Sequence, residues 1–183
     1  MMAFKWQDVI SGKKTFIRFA GLMNTGRFAT NTDFHYLNDS PAVYVLHAEN
    51  HWVTITNINA NSSMPNSFDE WLLFDSLNQP ETYVPILSNA FKKLSPDSNK
   101  FILHTVDVIQ QHGTSDCGLF ALAYVLSIAF KHNPAKMFYN QYKMRDHFNL
   151  CMQCDHWDEF EGYEISREFN YKRHEIDLSL IVA

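Results

Sequence analysis

Gln110-Gln111-His112-Gly113-Thr114-Ser115-Asp116-Cys117-Gly118 runs directly into Leu119-Phe120-Ala121-Leu122-Ala123-Tyr124-Val125-Leu126-Ser127-Ile128-Ala129-Phe130, and the contrast between the two halves decides how the chain folds. The first half is polar and turn-forming. The second is apolar on nearly every face, too long for an ordinary strand and too short to cross a bilayer. It predicts a central helix buried on all sides. Ser115 or Asp116 can cap its first turn, because a side-chain oxygen there accepts from otherwise unpaired N–H groups. Cys117 then falls at the helix N-terminus. The partial positive charge there favours the thiolate, the nucleophilic form of the side chain.

A lone cysteine is ordinarily core filler. A nucleophilic one needs a base, a group that orients the base, and donors for an oxyanion. The chain supplies candidates in order. His51, before Trp52, opens a strand just after the turn Glu49-Asn50, and it shares a face with Val53, Ile55 and Asn57. Asp75 ends the short apolar strand Trp71-Leu72-Leu73-Phe74, where a carboxylate is costly unless paired. The imidazole of His51 is the expected partner. Alternatively, Asp75-Ser76 starts a turn, with Asp69 and Asp107 as weaker substitutes. His47 and His104 have no such context and read as structural.

Taken together, His51-Trp52, Phe74-Asp75-Ser76-Leu77 and Gln111 ahead of Asp116-Cys117-Gly118 resemble the ubiquitin-like-protein proteases. These are the SUMO-processing cysteine peptidases related to the adenovirus protease. The Cys117 block, with Met144-Arg145-Asp146-His147 downstream, is similar to copies of this domain carried by transposon-like genes of animals. The resemblance spans residues 40–150, with 1–40 and 162–183 as poorly matched flanks. It implies an α+β, papain-like fold in which a small mixed sheet packs on the central helix bearing the nucleophile. Cys117 would attack, His51 would act as base and Asp75 would orient it. Gln111 would hold the oxyanion, with Gln110 as fallback and the backbone N–H of Cys117 as second donor. Trp52, otherwise a core aromatic, would wall a narrow tunnel for a Gly-Gly tail.

The implied substrate is a peptide or isopeptide bond at the C-terminus of a ubiquitin-like protein, SUMO or NEDD8 ahead of ubiquitin. Neither cofactor nor metal is implied, and a monomer is expected. Three alternatives compete. One is a transposon- or virus-derived protease with another substrate. Another is an acyltransferase of the bacterial-effector type, which would need a basic pocket for acyl-coenzyme A. The last is a catalytically silent binding module. The family's usual opening Trp-Leu-Asn-Asp segment has no counterpart; Tyr36-Leu37-Asn38-Asp39 looks similar but carries no role.

Composition narrows the class. The 183 residues suit one domain, and 46% hydrophobic with 15% aromatic content suits a packed core. A net charge of −5 argues against nucleic acid as the main partner. Three cysteines make no disulfide ladder and suit the nucleus or cytoplasm. The start of the chain reads as no secretory signal, and no apolar run reaches membrane-spanning length.

Elsewhere, residues 41–47 and 101–109 predict strands, 85–94 an amphipathic helix and 59–70 a surface loop. Asn133-Pro134 predicts the start of a helical segment running to about Cys154. His147, Cys151, Cys154 and His156 have the ligand types of zinc. Three of them share one helix face, however, which cannot enclose a tetrahedral ion, so packing is the expectation. Residues 24–40 read as loop, and the tail from Gly162 as an appendage.

Overall fold

The computed structural model describes residues 18–24, 42–58, 70–94, 99–154 and 156–180. In order these form β1 (Arg18–Asn24), β2 (Ala42–Ala48), β3 (His51–Thr56), β4 (Glu70–Phe74), α1 (Val84–Leu94), β5 (Lys100–Val106), α2 (Cys117–Ala129), β6 (Met137–Tyr139), α3 (Gln141–Cys154), β7 (Gly162–Glu164) and β8 (Tyr171–Asp177). Short 3-10 turns lie at Pro80–Thr82, Pro134–Lys136 and Leu178–Leu180.

The main sheet runs β1-β2-β3-β4-β5-β8. Its β1–β2 and β4–β5 pairs are parallel and the other three antiparallel. Alternation along each strand divides the core in two. Val43, Val45, Leu72, Phe74 and Val106 pack on the side of α2. Tyr44, Leu46, Val53, Ile55, Trp71, Leu73 and Leu103 pack with Leu87 and Phe91 of α1. Both faces being covered, the central strands read as continuous apolar runs. The expected α+β architecture, a mixed sheet against a central helix, is what forms. One polar link ties the two layers: Thr54 Oγ1 donates to the Ala121 carbonyl at 2.9 Å.

Two expectations need correction. The segment after Asn133 is not one helix. Asn133 Oδ1 accepts from the Ala135 N–H at 3.0 Å and caps only a 3-10 turn. Met137–Tyr139 then pairs antiparallel with β7, and the helix begins at Gln141. A tertiary strand partner overrides the local helical pattern. Next, the tail is no appendage: β8 pairs with β5 from Lys100↔Asp177 to Val106↔Tyr171, and Leu178 is buried behind it. Its charged residues suit an edge strand. Beyond these, Arg18–Asn24, for which no element is expected, forms a strand beside β2. The expected loops at 25–40 and 59–69 lie outside the described residues, as do Tyr36-Leu37-Asn38-Asp39 and Asp69.

If the tail is part of the core, Leu178→Ala should lower the unfolding free energy by about 3 kcal/mol. Urea titration would measure this, and an unchanged midpoint would return the tail to an appendage.

Candidate active site

The turn joining β2 to β3 is Glu49-Asn50, with φ of 48° and 66°. Two positive φ values give the primed hairpin turn whose twist matches the flanking strands. Ala48 pairs with His51 across it, so the hairpin itself places the imidazole. Alongside, Phe74 ends β4 opposite Thr54, and Asp75 follows. His51 Nε2 and Asp75 Oδ1 consequently lie 2.7 Å apart, both residues buried. Pairing and turn initiation are not exclusive here. Asp75 Oδ1 also accepts the Leu77 N–H at 2.9 Å, and Oδ2 accepts the Gln79 N–H at 2.7 Å. Three donors make a buried carboxylate tolerable.

Behind the imidazole stands Tyr83, its ring stacked on His51 at 5.4 Å between centroids and 23° between planes. Its phenol is pushed up to about 12, first by burial, then by the charges of Asp75, Cys117 and Glu49. Tyr83 therefore remains neutral at physiological pH and lies within electrostatic range of both Asp75 and Cys117. Sequence reasoning missed it, because it follows a turn and belongs to no periodic pattern.

Cys117 is the first residue of α2 and is buried. A Cβ placed on its neighbour Gly118 would meet Trp52 Cδ1 at 3.4 Å. Trp52 thus lies against the first turn of α2, and the pairs His51-Trp52 and Cys117-Gly118 adjoin. The His47 ring lies tilted against Trp52, with centroids 4.7 Å apart. The capping expectation fails. Asp116 occupies the cap position, but its side chain makes no bond to the helix N–H groups. Its carboxylate instead receives Gln141 and Arg145 of α3.

Gln111 is buried and doubly anchored to the residue after Asp75. Its backbone N–H donates to the Ser76 carbonyl at 2.9 Å, and the Ser76 hydroxyl donates to Oε1 at 2.6 Å. Nε2 donates to the Gly113 carbonyl at 2.8 Å. Gly113 has a φ of 72°, which explains a glycine in this loop. The fallback Gln110 is exposed and donates to the Leu77 carbonyl at 3.2 Å. Asp107 is exposed and pairs with Arg167 at 3.0 Å. His104, read as structural, is buried against Glu70 Oε2 at 2.7 Å. The zinc-type residues are dispersed in role. Cys151 is buried, Cys154 exposed, His147 contacts the Asp158 carbonyl at 3.1 Å, and His156 pairs with the Asp158 carboxylate at 3.2 Å.

Residues 17–156 match the family model described as "Ulp1 protease family, C-terminal catalytic domain". The chain belongs to the Ulp1 protease family. This is a SUMO-type cysteine protease family, and the matched span includes His51, Trp52, Asp75, Gln111 and Cys117. A solved structure titled "Crystal structure of the de-sumoylating protease" aligns with this Ulp1-family domain at 22% identity and a TM-score of 0.36. The alignment covers 81% of this chain and 54% of that one, so the chain spans about half its length. No curated protein matches the chain.

Since Asp75 satisfies His51 and two backbone N–H groups, Asp75→Ala should destabilise this Ulp1-family domain by about 2–4 kcal/mol. Denaturant unfolding would test it; a loss under about 0.5 kcal/mol would mean that water replaces the carboxylate at no cost.

Proposed function

We propose that this domain is a cysteine peptidase that cuts the peptide or isopeptide bond at the C-terminus of a ubiquitin-like protein, SUMO or NEDD8 in preference to ubiquitin. The observation that carries the reading is the buried His51–Asp75 pair, 2.7 Å apart, beside the helix start that bears Cys117.

In this mechanism Asp75 holds His51 through Nε2 and leaves Nδ1 to take the Cys117 proton. The Cys117 sulfur attacks the carbonyl carbon, and the oxyanion is met by the Cys117 backbone N–H and the Gln111 amide. An amide has two N–H donors. One is spent on Gly113, and the oxyanion takes the other. His51 then passes its proton to the departing amine, leaving a thioester on Cys117. Water, deprotonated by His51, hydrolyses the thioester and releases the modifier's carboxylate. Trp52, which lies against Gly118 beside the nucleophile, is assigned the wall that receives a slim glycine tail. The three cysteines, all free, suit a nuclear or cytosolic setting.

The test is labelling by ubiquitin, SUMO and NEDD8 carrying electrophilic C-termini, read by intact mass. SUMO or NEDD8 should form an adduct that Cys117→Ala abolishes. His51→Ala should abolish turnover, and Asp75→Asn should lower it by a smaller factor. If no modifier labels while a small alkylator still reacts selectively at Cys117, the substrate is a different protein. If Cys117 shows no selective reactivity, the domain is a binding module.

A further inference from the structure

Gln111 and Cys117 are joined by a loop, residues 112–116, whose first four residues are exposed. Besides the Gln111–Gly113 bond, two residues that hold this loop come from α3. Gln141 and Arg145 stand four apart, on one face of that helix. Gln141 Oε1 accepts the His112 N–H at 2.8 Å, and Gln141 Nε2 donates to the His112 carbonyl at 2.8 Å. The same nitrogen donates to Asp116 Oδ2 at 2.7 Å. One amide thus spends both N–H donors and its oxygen on the two ends of the loop. Arg145 Nη2 donates to the other carboxylate oxygen of Asp116 and reaches the Ser115 carbonyl at 3.4 Å.

Energy alone does not account for this arrangement. The Arg145 side chain is 61% exposed against 14% for Asp116, and an ion pair with one partner in solvent is screened and adds little stability. What the contacts fix is geometry. Asp116 immediately precedes Cys117, and its carbonyl accepts the Leu119 and Phe120 N–H groups that start α2, at 2.9 and 3.0 Å. His112 immediately follows Gln111. Holding residues 112 and 116 therefore fixes the chain on the Cys117 side of Gln111 and on the Gln111 side of Cys117.

We infer that Gln141 and Arg145 are positioning residues, which act through His112 and Asp116 to aim the Gln111 amide and the Cys117 backbone N–H at the oxyanion. The inference rests on the peptidase reading above. It also gives a task to part of the Met144-Arg145-Asp146-His147 motif.

Oxyanion geometry can be separated from nucleophilicity. A SUMO whose C-terminal carboxylate is replaced by an aldehyde forms a hemithioacetal with Cys117 and needs the oxyanion donors. Iodoacetamide loses iodide to the thiolate and needs none. Gln141→Ala should lower kcat on SUMO–aminomethylcoumarin about tenfold or more, with KM within about twofold. Aldehyde affinity should fall by the same factor, with the iodoacetamide rate at Cys117 unchanged. Arg145→Lys, which keeps the charge beside Asp116, should recover most of what Arg145→Ala loses. Full kcat in Gln141→Ala and Arg145→Ala overturns the inference. So does an iodoacetamide rate that falls in step with kcat, since the effect would then lie in the nucleophile or the fold. A wild type with neither SUMO turnover nor aldehyde binding removes the SUMO-peptidase reading itself, and this inference with it.

Discussion

Helix α2 has almost no solvent side, and most of the structure answers that requirement. Ten of its thirteen residues are buried, so it needs apolar neighbours around nearly its whole circumference. One sheet face supplies Val43, Val45, Leu72 and Phe74. Ala135, Met137, Tyr139, Met144, Trp157 and Phe160, from the stretch that follows the helix, supply others. Each large side chain buried this way contributes about 1.5–3 kcal/mol before the entropy of ordering is subtracted. Even its lone serine is matched: Ser127 Oγ meets the Tyr139 hydroxyl at 3.0 Å, and burial pushes that phenol well up. With the body of the helix enclosed, its N-terminus is where backbone N–H groups stay open for chemistry.

Among the described residues the sheet carries two histidine–carboxylate pairs of the same length, one buried and one part-buried, and comparing them separates architecture from chemistry. His51–Asp75 and His104–Glu70 each measure 2.7 Å. His104 sits in mid-strand, edge-on to Tyr171 of the edge strand. His51 sits at a strand start, stacked on Tyr83, next to the tryptophan that lies on α2. A short histidine–carboxylate pair is therefore no mark of a reactive site by itself. What distinguishes His51 is its position at the end of its strand, beside the helix N-terminus that holds Cys117.

Legibility in the sequence followed the range of the forces involved. The apolar run of α2 and the β-branched strands were readable because burial leaves a local pattern. The positions of Cys117, Asp75 and His51 were readable because each falls at the end of such a run. The capping role of Asp116 was misread because its carboxylate answers to Gln141 and Arg145, more than twenty residues downstream. The same limit hid β6 and β8, strands only by virtue of distant partners, and Tyr83, which matters through a ring it stacks on. The charged alternation Lys172-Arg173-His174-Glu175 gives no hydrophobic period, so nothing local marked it as part of a sheet.

The side chains proposed for bond-breaking all precede residue 118, whereas those that brace the loop between them begin at residue 141. Chain order thereby becomes temporal order during translation. A nascent chain that has cleared the ribosomal tunnel through α2 already carries the imidazole, carboxylate, amide and thiol. Its loop stays unbraced until α3 emerges and docks. The edge strand β8 arrives later still. On this layout the proposed oxyanion loop takes its braced form only after the side chains on either side of it have already emerged.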